Sequence, residues 1–223
     1  MGTGWWVSDY IESGQSALLA ARVFWVIVSI CLHELAHGWA ALWQGDDTPR
    51  RTGHMTINPL VHMGWPSLIV FALTGLAWGL MPVNPARFRS GRFGDLCVSA
   101  AGPAMNLLLA FLSLTVLGIF LRLGYGGANP SPTQSNVIEF FFIGGSLNLL
   151  LCVFNLLPVP PLDGSTIAAS LSRKAWEFMH HPFVQQAGFF ILLFVLFSAG
   201  VSSAIAARTH QLSIWWVRLI VGG

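Results

Sequence analysis

Long apolar stretches constrain this chain more than any other feature. Four of them, at 17–44, 95–122, 137–157 and 183–207, fit the ~20 residues that a helix needs to cross about 30 Å of hydrocarbon. Only 9% of the residues are charged, against roughly 25% in soluble domains, so the chain cannot cover a water-facing surface. The sequence predicts an all-α polytopic membrane protein that is surrounded by a lipid bilayer.

These segments fit a single membrane-embedded domain over residues 1–223, with about four to five transmembrane helices. Its core is predicted at 17–170, followed by a C-terminal span at 183–207 and an interfacial tail at 210–221. The net charge of +2 comes without a Lys/Arg-rich run, so no nucleic-acid partner is expected. The sequence leaves open a homo-oligomer or a regulatory membrane partner.

Basic residues occupy three separate loops, whereas the loop at 124–136 carries no charge. Because loops rich in Lys and Arg stay on the cytoplasmic side, all three are expected there, in a prokaryotic cell (inner) membrane. That requires residues 64–84 to form a re-entrant hairpin, which is tolerated where it is buried or lines a cavity. The alternative, a true span at 65–80, leaves one basic loop on the wrong side. The basic residues are Arg50, Arg51, Arg87, Arg89, Arg92, Arg173 and Lys174.

The sequence HELAH lies in the second half of the first apolar segment. Residues four apart on a helix share a face, so His33 and His37 can direct two imidazoles at one metal ion. Glu34 lies on a neighbouring face, where a carboxylate can take a proton from water without binding the metal. Buried ionisable groups in a span are costly and usually functional. The alternative is a helix that merely has a polar face near its end.

A catalytic zinc site needs a third protein ligand. The best donor is Asp163 in NLLPVPPLDG, where the prolines unwind the end of a span and present the acid from a non-helical segment. Alone, an Asp-Gly after prolines is more often a simple turn. Paired with HELAH inside the membrane, it predicts the missing ligand, and the cofactor expected is one Zn²⁺ per chain.

The three motifs HELAH, AGPAMN and NLLPVPPLDG together resemble the site-2 protease family of intramembrane zinc metalloproteases. GDDTPRRTGHMTINPLVH and MPVNPARFR resemble the same region of short members that lack a PDZ domain, so the match covers about 25–170. Two positions depart from that pattern: His54 stands where short relatives often carry a basic residue, and Gly64 where they carry an acid. His54 and His62 are also weaker candidates for metal binding.

The resemblance implies hydrolysis of peptide bonds within or near transmembrane segments. It implies that Asn155 positions the substrate or stabilises the oxyanion, and that Gly102 and Asn106 line the substrate site, although simple helix–helix packing explains the last two equally well. The implied zinc ligands and general base are His33, His37, Asp163 and Glu34.

The segment MPVNP at 81–85 is predicted to be extended because its prolines disfavour helix. Val83 and Asn84 are therefore candidates for pairing with an unwound transmembrane substrate by β-augmentation. Two other functions stay open from sequence alone. One is a membrane zinc transporter that uses HELAH as a transit site, and the other is an inactive homologue that binds transmembrane partners without cutting them.

Overall fold

The computed structural model describes residues 5–127 and 129–222, and in these residues all regular structure is helical. A 3₁₀ turn at Pro85–Arg87 and a π-helical turn at Leu121–Tyr125 accompany the α-helices. The α-helices are α1 (Trp6–Glu12), α2 (Ser16–Trp43), α3 (Thr48–Arg51), α4 (Pro59–Thr74), α5 (Arg92–Phe120), α6 (Pro132–Asn155), α7 (Asp163–Leu171), α8 (Arg173–Met179), α9 (Pro182–Phe197) and α10 (Ala199–Val221). The prediction of an all-α fold is confirmed.

Three of the described helices, α2, α5 and α6, are long and apolar enough to cross a membrane. Helices α4 and α9 are apolar but shorter, so a total of four to five spans is reached only if shorter or less apolar helices are included. With so few charged residues, these helices make the chain an integral membrane protein.

Helices α2, α5 and α6 pack together and form the frame of the protein. Gly144 of α6 has no side chain, and a Cβ there would lie 2.2 Å from the ring of Trp25 on α2. The indole N–H of Trp25 then donates to the carbonyl of Phe140, at 2.8 Å. Small residues that let backbones approach closely are typical of helix packing in membranes. This close packing brings the second half of α2 against the start of α5.

Residues 59–84 form a hairpin whose first arm is α4. The helix ends at Gly75, whose φ of +79° is left-handed and suits glycine. The chain then returns in extended form, and the amide of Leu80 donates to the carbonyl of His62 at 2.9 Å. The amide of Trp78 donates to the Oγ of Ser67, also at 2.9 Å. Residues 65–80 are thus a helix followed by an irregular segment that runs back, and the alternative of a straight span there is wrong.

The C-terminal region differs from the prediction. The span at 183–207 and the interfacial tail at 210–221 stay predictions, but the helix bounds differ from them, because the chain breaks at Ser198 and α10 then runs without interruption to Val221. Serine is a favoured residue before a helix, and Gly200 lowers helix propensity just after it. The tail residues belong to α10 and pack on the frame, where the Trp216 indole donates to the Thr115 hydroxyl at 3.1 Å.

Candidate metal centre and active site

Three predicted metal ligands converge, although 126 positions separate the second from the third (163 − 37). The Nε2 atoms of His33 and His37 lie 3.0 Å apart. The carboxylate of Asp163 approaches both, with Oδ2 at 3.1 Å from His33 and Oδ1 at 3.3 Å from His37. Within the described residues this is the one group of three or more His, Cys, Asp or Glu side chains arranged to hold a metal.

The histidines are oriented by hydrogen bonds behind their rings. The Nδ1–H of His33 donates to the Oδ1 of Asn106 at 2.6 Å, and the Nδ1–H of His37 donates to the backbone carbonyl of Val98 at 2.7 Å. Both acceptors belong to α5. A proton fixed on Nδ1 leaves the Nε2 lone pair facing the centre, which is the usual way that proteins orient metal-binding imidazoles.

This arrangement fits a zinc ion. The Nε2 lone pairs of His33 and His37 face the Asp163 carboxylate, and no proton lies between these atoms. Oδ2 of Asp163 is buried and has no hydrogen-bond partner in the described structure. Electron-rich atoms placed this way need a cation between them. Zinc bonds of about 2.1 Å in a tetrahedral site separate neighbouring ligand atoms by about 3.4 Å, close to the 3.0–3.3 Å found here.

The hydrogen-bond chain continues from the metal-binding side chains into α6. The Nδ2 of Asn106 donates to the Oδ1 of Asn148 at 2.9 Å, and the Nδ2 of Asn148 donates to the Gly144 carbonyl at 2.8 Å. Both asparagines are completely buried. A substrate contact of Asn106 stays a prediction; in the structure the amide of Asn106 bonds to His33 and Asn148. It is a positioning residue, and Asn148 was not identified from the sequence.

Gly102 occupies a position on α5 where no side chain fits. A Cβ there would lie 2.4 Å from Nε2 of His37 and 2.5 Å from Nε2 of His33. Both values are below any real contact distance for carbon, so a methyl group would enter the space between the ligand atoms. The role of Gly102 is to keep this space open, which differs from the substrate contact predicted for it.

Asp163 reaches the cluster from the linker 156–162. The irregular linker is as predicted, but Asp163 itself is the first residue of α7 and therefore helical. Gly164 explains how this start fits, since a Cβ there would lie 2.3 Å from the Leu156 carbonyl oxygen. The Asp-Gly pair therefore combines a ligand with the residue that lets the helix begin against the linker backbone.

The extended segment 79–84 lies alongside α2, beginning at Glu34. A Cβ on Gly79 would be 2.5 Å from the Oε1 of Glu34. Two residues on, the Met81 side chain reaches Gly38, where a Cβ would lie 3.0 Å from its Cε. The next odd residue, Val83, packs on a buried cluster made of Ala41, Phe88 and Val98. The strand therefore presents every second residue to the helix that carries HELAH.

The two edges of this segment differ. The amides of Trp78, Leu80 and Asn84 donate to Ser67, His62 and Asp46. The edge formed by these even-numbered residues is therefore hydrogen-bonded within the protein. The amides of Gly79, Met81 and Val83 have no acceptor in the described part of the chain. In an extended chain the N–H and C=O groups of successive residues point to opposite edges. The edge formed by the odd-numbered residues 79, 81 and 83 is therefore open to a pairing partner. It starts beside Glu34.

Four other predicted residues make no hydrogen bond to the metal-binding side chains in the described structure. The backbone amide of Asn84 donates to Asp46 and its Oδ1 accepts from the Ala86 amide, so these two groups are bonded within the protein, and pairing of Asn84 with a substrate stays a prediction. Asn155 donates to the Leu151 carbonyl in its own helix and makes no hydrogen bond to the clustered side chains in the described structure. His54 and His62 are 6.4 Å apart between ring centres, but within 5–127 and 129–222 no third ligand joins them.

Comparison with known proteins bears directly on this site. The model of Peptidase family M50 matches residues 125–198, which include the linker and Asp163. A Bacillus subtilis protein named "Putative zinc metalloprotease YwhC" is 39% identical over 156 residues, which is 70% of each chain. This chain belongs to peptidase family M50.

Further M50 relatives support the same assignment. A Mycolicibacterium smegmatis protein named "Putative zinc metalloprotease Rip2" is 30% identical over a stretch that covers 85% of this chain and 78% of the relative. The Mycobacterium tuberculosis protein of that name is 28% identical over the same shares. No solved structure matches the chain with statistical significance. The resemblance to site-2 proteases is confirmed, and the chain is a membrane zinc metalloprotease.

In an M50 enzyme the parts of this site have distinct tasks. His33, His37 and Asp163 would hold the zinc ion, while Asn106 and Val98 orient the two rings. When bound, zinc supplies the Lewis acidity that makes water a nucleophile near neutral pH. Glu34 is buried beside the histidines and carries a carboxylate that can accept the proton of the attacking water and return it to the leaving amine.

Proposed function

We propose that this protease hydrolyses peptide bonds within or near the transmembrane segments of other membrane proteins. The observation that carries the proposal is the open strand edge at Gly79, Met81 and Val83, which begins at the Glu34 carboxylate. Two of the three metal ligands, His33 and His37, lie on α2 and are oriented by α5, and both helices are long and apolar enough to span. The site therefore serves substrates that arrive through the bilayer.

The open edge solves a problem that such substrates create. A transmembrane helix hides its carbonyls in hydrogen bonds to its own amides, so it must unwind before any bond can be attacked. Unwinding leaves those backbone groups without hydrogen-bond partners in a medium that holds no water, at a cost of several kcal/mol each. A strand edge with free amides offers them replacement partners, as in β-augmentation. The proposal assigns pairing with the unwound substrate to Val83, as predicted from the sequence, and also to Gly79 and Met81.

The proposed enzyme works in a prokaryotic cell membrane with the site opening toward the cytoplasm. The support is the distribution of basic residues: the loop after α2 carries Arg50 and Arg51, the turn before α5 carries Arg87 and Arg89, and the loop 126–131 before α6 carries no charge. Positively charged loops favour the cytoplasmic side. The substrate would enter from the lipid, and water would reach Glu34 from the basic side.

The deciding experiment uses the purified full chain in proteoliposomes with a reporter that carries one transmembrane helix. Wild type and Glu34→Gln are compared, with zinc content measured for both. Two reporters are used that differ only by a Gly-Pro pair in the helix, which eases unwinding.

We expect cleavage by wild type, faster for the Gly-Pro reporter, and loss of at least about a hundredfold in Glu34→Gln with zinc retained. If wild type cleaves only soluble peptides, the proposed substrate class is wrong. If Glu34→Gln cleaves as well as wild type with zinc bound, the proposed role of Glu34 fails.

A further inference from the structure

Asp46 is a completely buried acid outside the metal centre. It follows α2 by three residues, and its carboxylate accepts three hydrogen bonds. Oδ1 accepts from the Thr48 amide at 3.0 Å and from the Thr48 hydroxyl. Oδ2 accepts from the backbone amide of Asn84 at 2.6 Å. Oδ1 of Asp46 therefore closes a local turn at Thr48, whereas Oδ2 binds Asn84, which lies 38 positions further along the chain.

The bond to Asn84 fixes the far end of the extended segment. The near end is set by Gly79 against Glu34. Five extended residues span about 17 Å, and the nine helical steps from Glu34 to Trp43 rise about 14 Å, with the loop to Asp46 supplying the rest. The segment thus lies against Glu34 of α2 at one end and is bonded to Asp46, three residues beyond α2, at the other. Its length matches the distance that it has to cover.

Other attachments of the segment come from the hairpin itself. The amides of Trp78 and Leu80 are held by Ser67 and His62, so they would move with the hairpin as one unit. The Asn84–Asp46 bond joins the hairpin to the metal-binding helix through a charged acceptor, which makes it about twice as strong as a neutral one. It is supported by the main-chain bond from the Arg89 amide to the Gln44 carbonyl at 2.8 Å.

We propose that Asp46 is a positioning residue that holds the open strand edge at a fixed place relative to Glu34 and so sets the affinity for the unwound substrate. This inference rests on the proposed function, because it assumes that the edge binds substrate. Asp46 touches neither the metal ligands nor the substrate. Its removal should leave zinc binding intact and raise KM far more than it lowers kcat.

Asp46→Asn tests this with little change in shape. An asparagine can still accept the Thr48 bonds through Oδ1, but it then presents an NH₂ group to the Asn84 amide, and two donors cannot bond. Asp47→Asn is the matched control, since it removes the same charge one residue later. Asp47 forms ion pairs with Arg87 and Arg51 that are largely exposed, and such pairs contribute little.

The measurements are zinc content, kcat and KM on the transmembrane reporter, and hydrogen exchange of the 78–84 amides. In Asp46→Asn we expect zinc to be retained, KM to rise about tenfold or more with kcat changed less than threefold, and the Asn84 amide to exchange about tenfold faster. Asp47→Asn should match wild type in all of them. Unchanged KM and unchanged exchange in Asp46→Asn overturn the proposal, as does an equal KM change in Asp47→Asn.

A second variant keeps the test decisive if Asp46→Asn does not fold. Replacing Asn84 by its α-hydroxy analogue exchanges the amide N–H for an ester oxygen and leaves Asp46 untouched. The same rise in KM with zinc retained supports the proposal, and loss of folding or zinc in both variants assigns Asp46 to global stability and overturns it. If wild type does not cleave the reporter but the Asn84 amide still exchanges faster in Asp46→Asn, the proposed function fails. The role of Asp46 in holding Asn84 then still stands.

Discussion

The Nδ1 of His33 on α2 and the Oδ1 of Asn106 on α5 lie 2.6 Å apart, and both side chains are buried. This bond decides which nitrogen of the ring carries its proton, and so which one faces the metal. It also links the metal centre to α6 through Asn148.

Asn106→Ala should weaken zinc binding by about ten- to a hundredfold, because partners behind a metal-binding histidine commonly contribute that much. Asn148→Ala should have a smaller effect in the same direction, since it acts through Asn106. Competition with a zinc chelator measures both. Ser113→Ala is the control: Ser113 is also buried on α5, but its hydroxyl donates to the Phe141 carbonyl, away from the cluster. Equal zinc affinity in Asn106→Ala and wild type would refute the positioning role.

Gly102→Ala should abolish stoichiometric zinc binding while the helices stay folded, because the added methyl group would lie 2.4 and 2.5 Å from the two Nε2 atoms. Metal content and circular dichroism measure the two properties. Gly200→Ala is the matched control, since no atom lies within 4 Å of a Cβ there. It should retain zinc and remain at least as stable as wild type. A Gly102→Ala protein with full zinc content would show that α5 does not approach the ligands this closely.

Gly79→Ala should lower kcat by about ten- to a hundredfold with zinc retained. The new Cβ would lie 2.5 Å from Oε1 of Glu34, and displacement of a catalytic group by about 1 Å can cost that much. Leu80→Ala provides the comparison because Leu80 is 67% exposed and faces away from α2. Its kcat should stay within about threefold of wild type. Similar losses in the two variants would point to general damage of the hairpin.

Asp46 should add an acid-sensitive contribution to stability. Burial alone would raise the pKa of its carboxyl, but hydrogen bonds from Thr48 and from the Asn84 amide, together with the charge of Arg87, lower that pKa below its ordinary 3.8. A carboxyl whose pKa is lower in the folded state stabilises the fold above its unfolded pKa, and this contribution disappears as pH falls through the folded value. Wild type should therefore lose more thermal stability than Asp46→Asn between about pH 5 and pH 2. Parallel melting curves across that range would contradict this.

The part of the site that follows from one helix was predictable. A spacing of four places His33 and His37 on one face whatever surrounds them, and prolines before Asp163 interrupt a helix in any context. The hairpin followed from charge distribution and from Pro and Gly in 64–84. These inferences depend on local backbone rules.

The residues that were missed depend on how closely two elements approach. Nothing local distinguishes Gly79 from other glycines, and it matters only because Glu34 lies against it. Asn148 is an isolated amide in an apolar helix, and that polarity is the one signal that pointed to it. The break at Ser198 was hidden because the apolar run continues across it. Asn106 was assigned to the substrate because its partner, His33, lies 73 positions away.

In the extended segment beside α2, Gly79, Met81 and Val83 are more buried than Trp78, Leu80 and Asn84. Such a segment accepts a pairing partner only in steps of two residues, because a shift of one turns the pairing N–H and C=O groups away from the edge and every inward side chain outward. A substrate that slides along it therefore presents every second peptide bond to Glu34. The cleavage positions within one substrate should therefore be two residues apart. Mass spectrometry of the fragments measures this spacing.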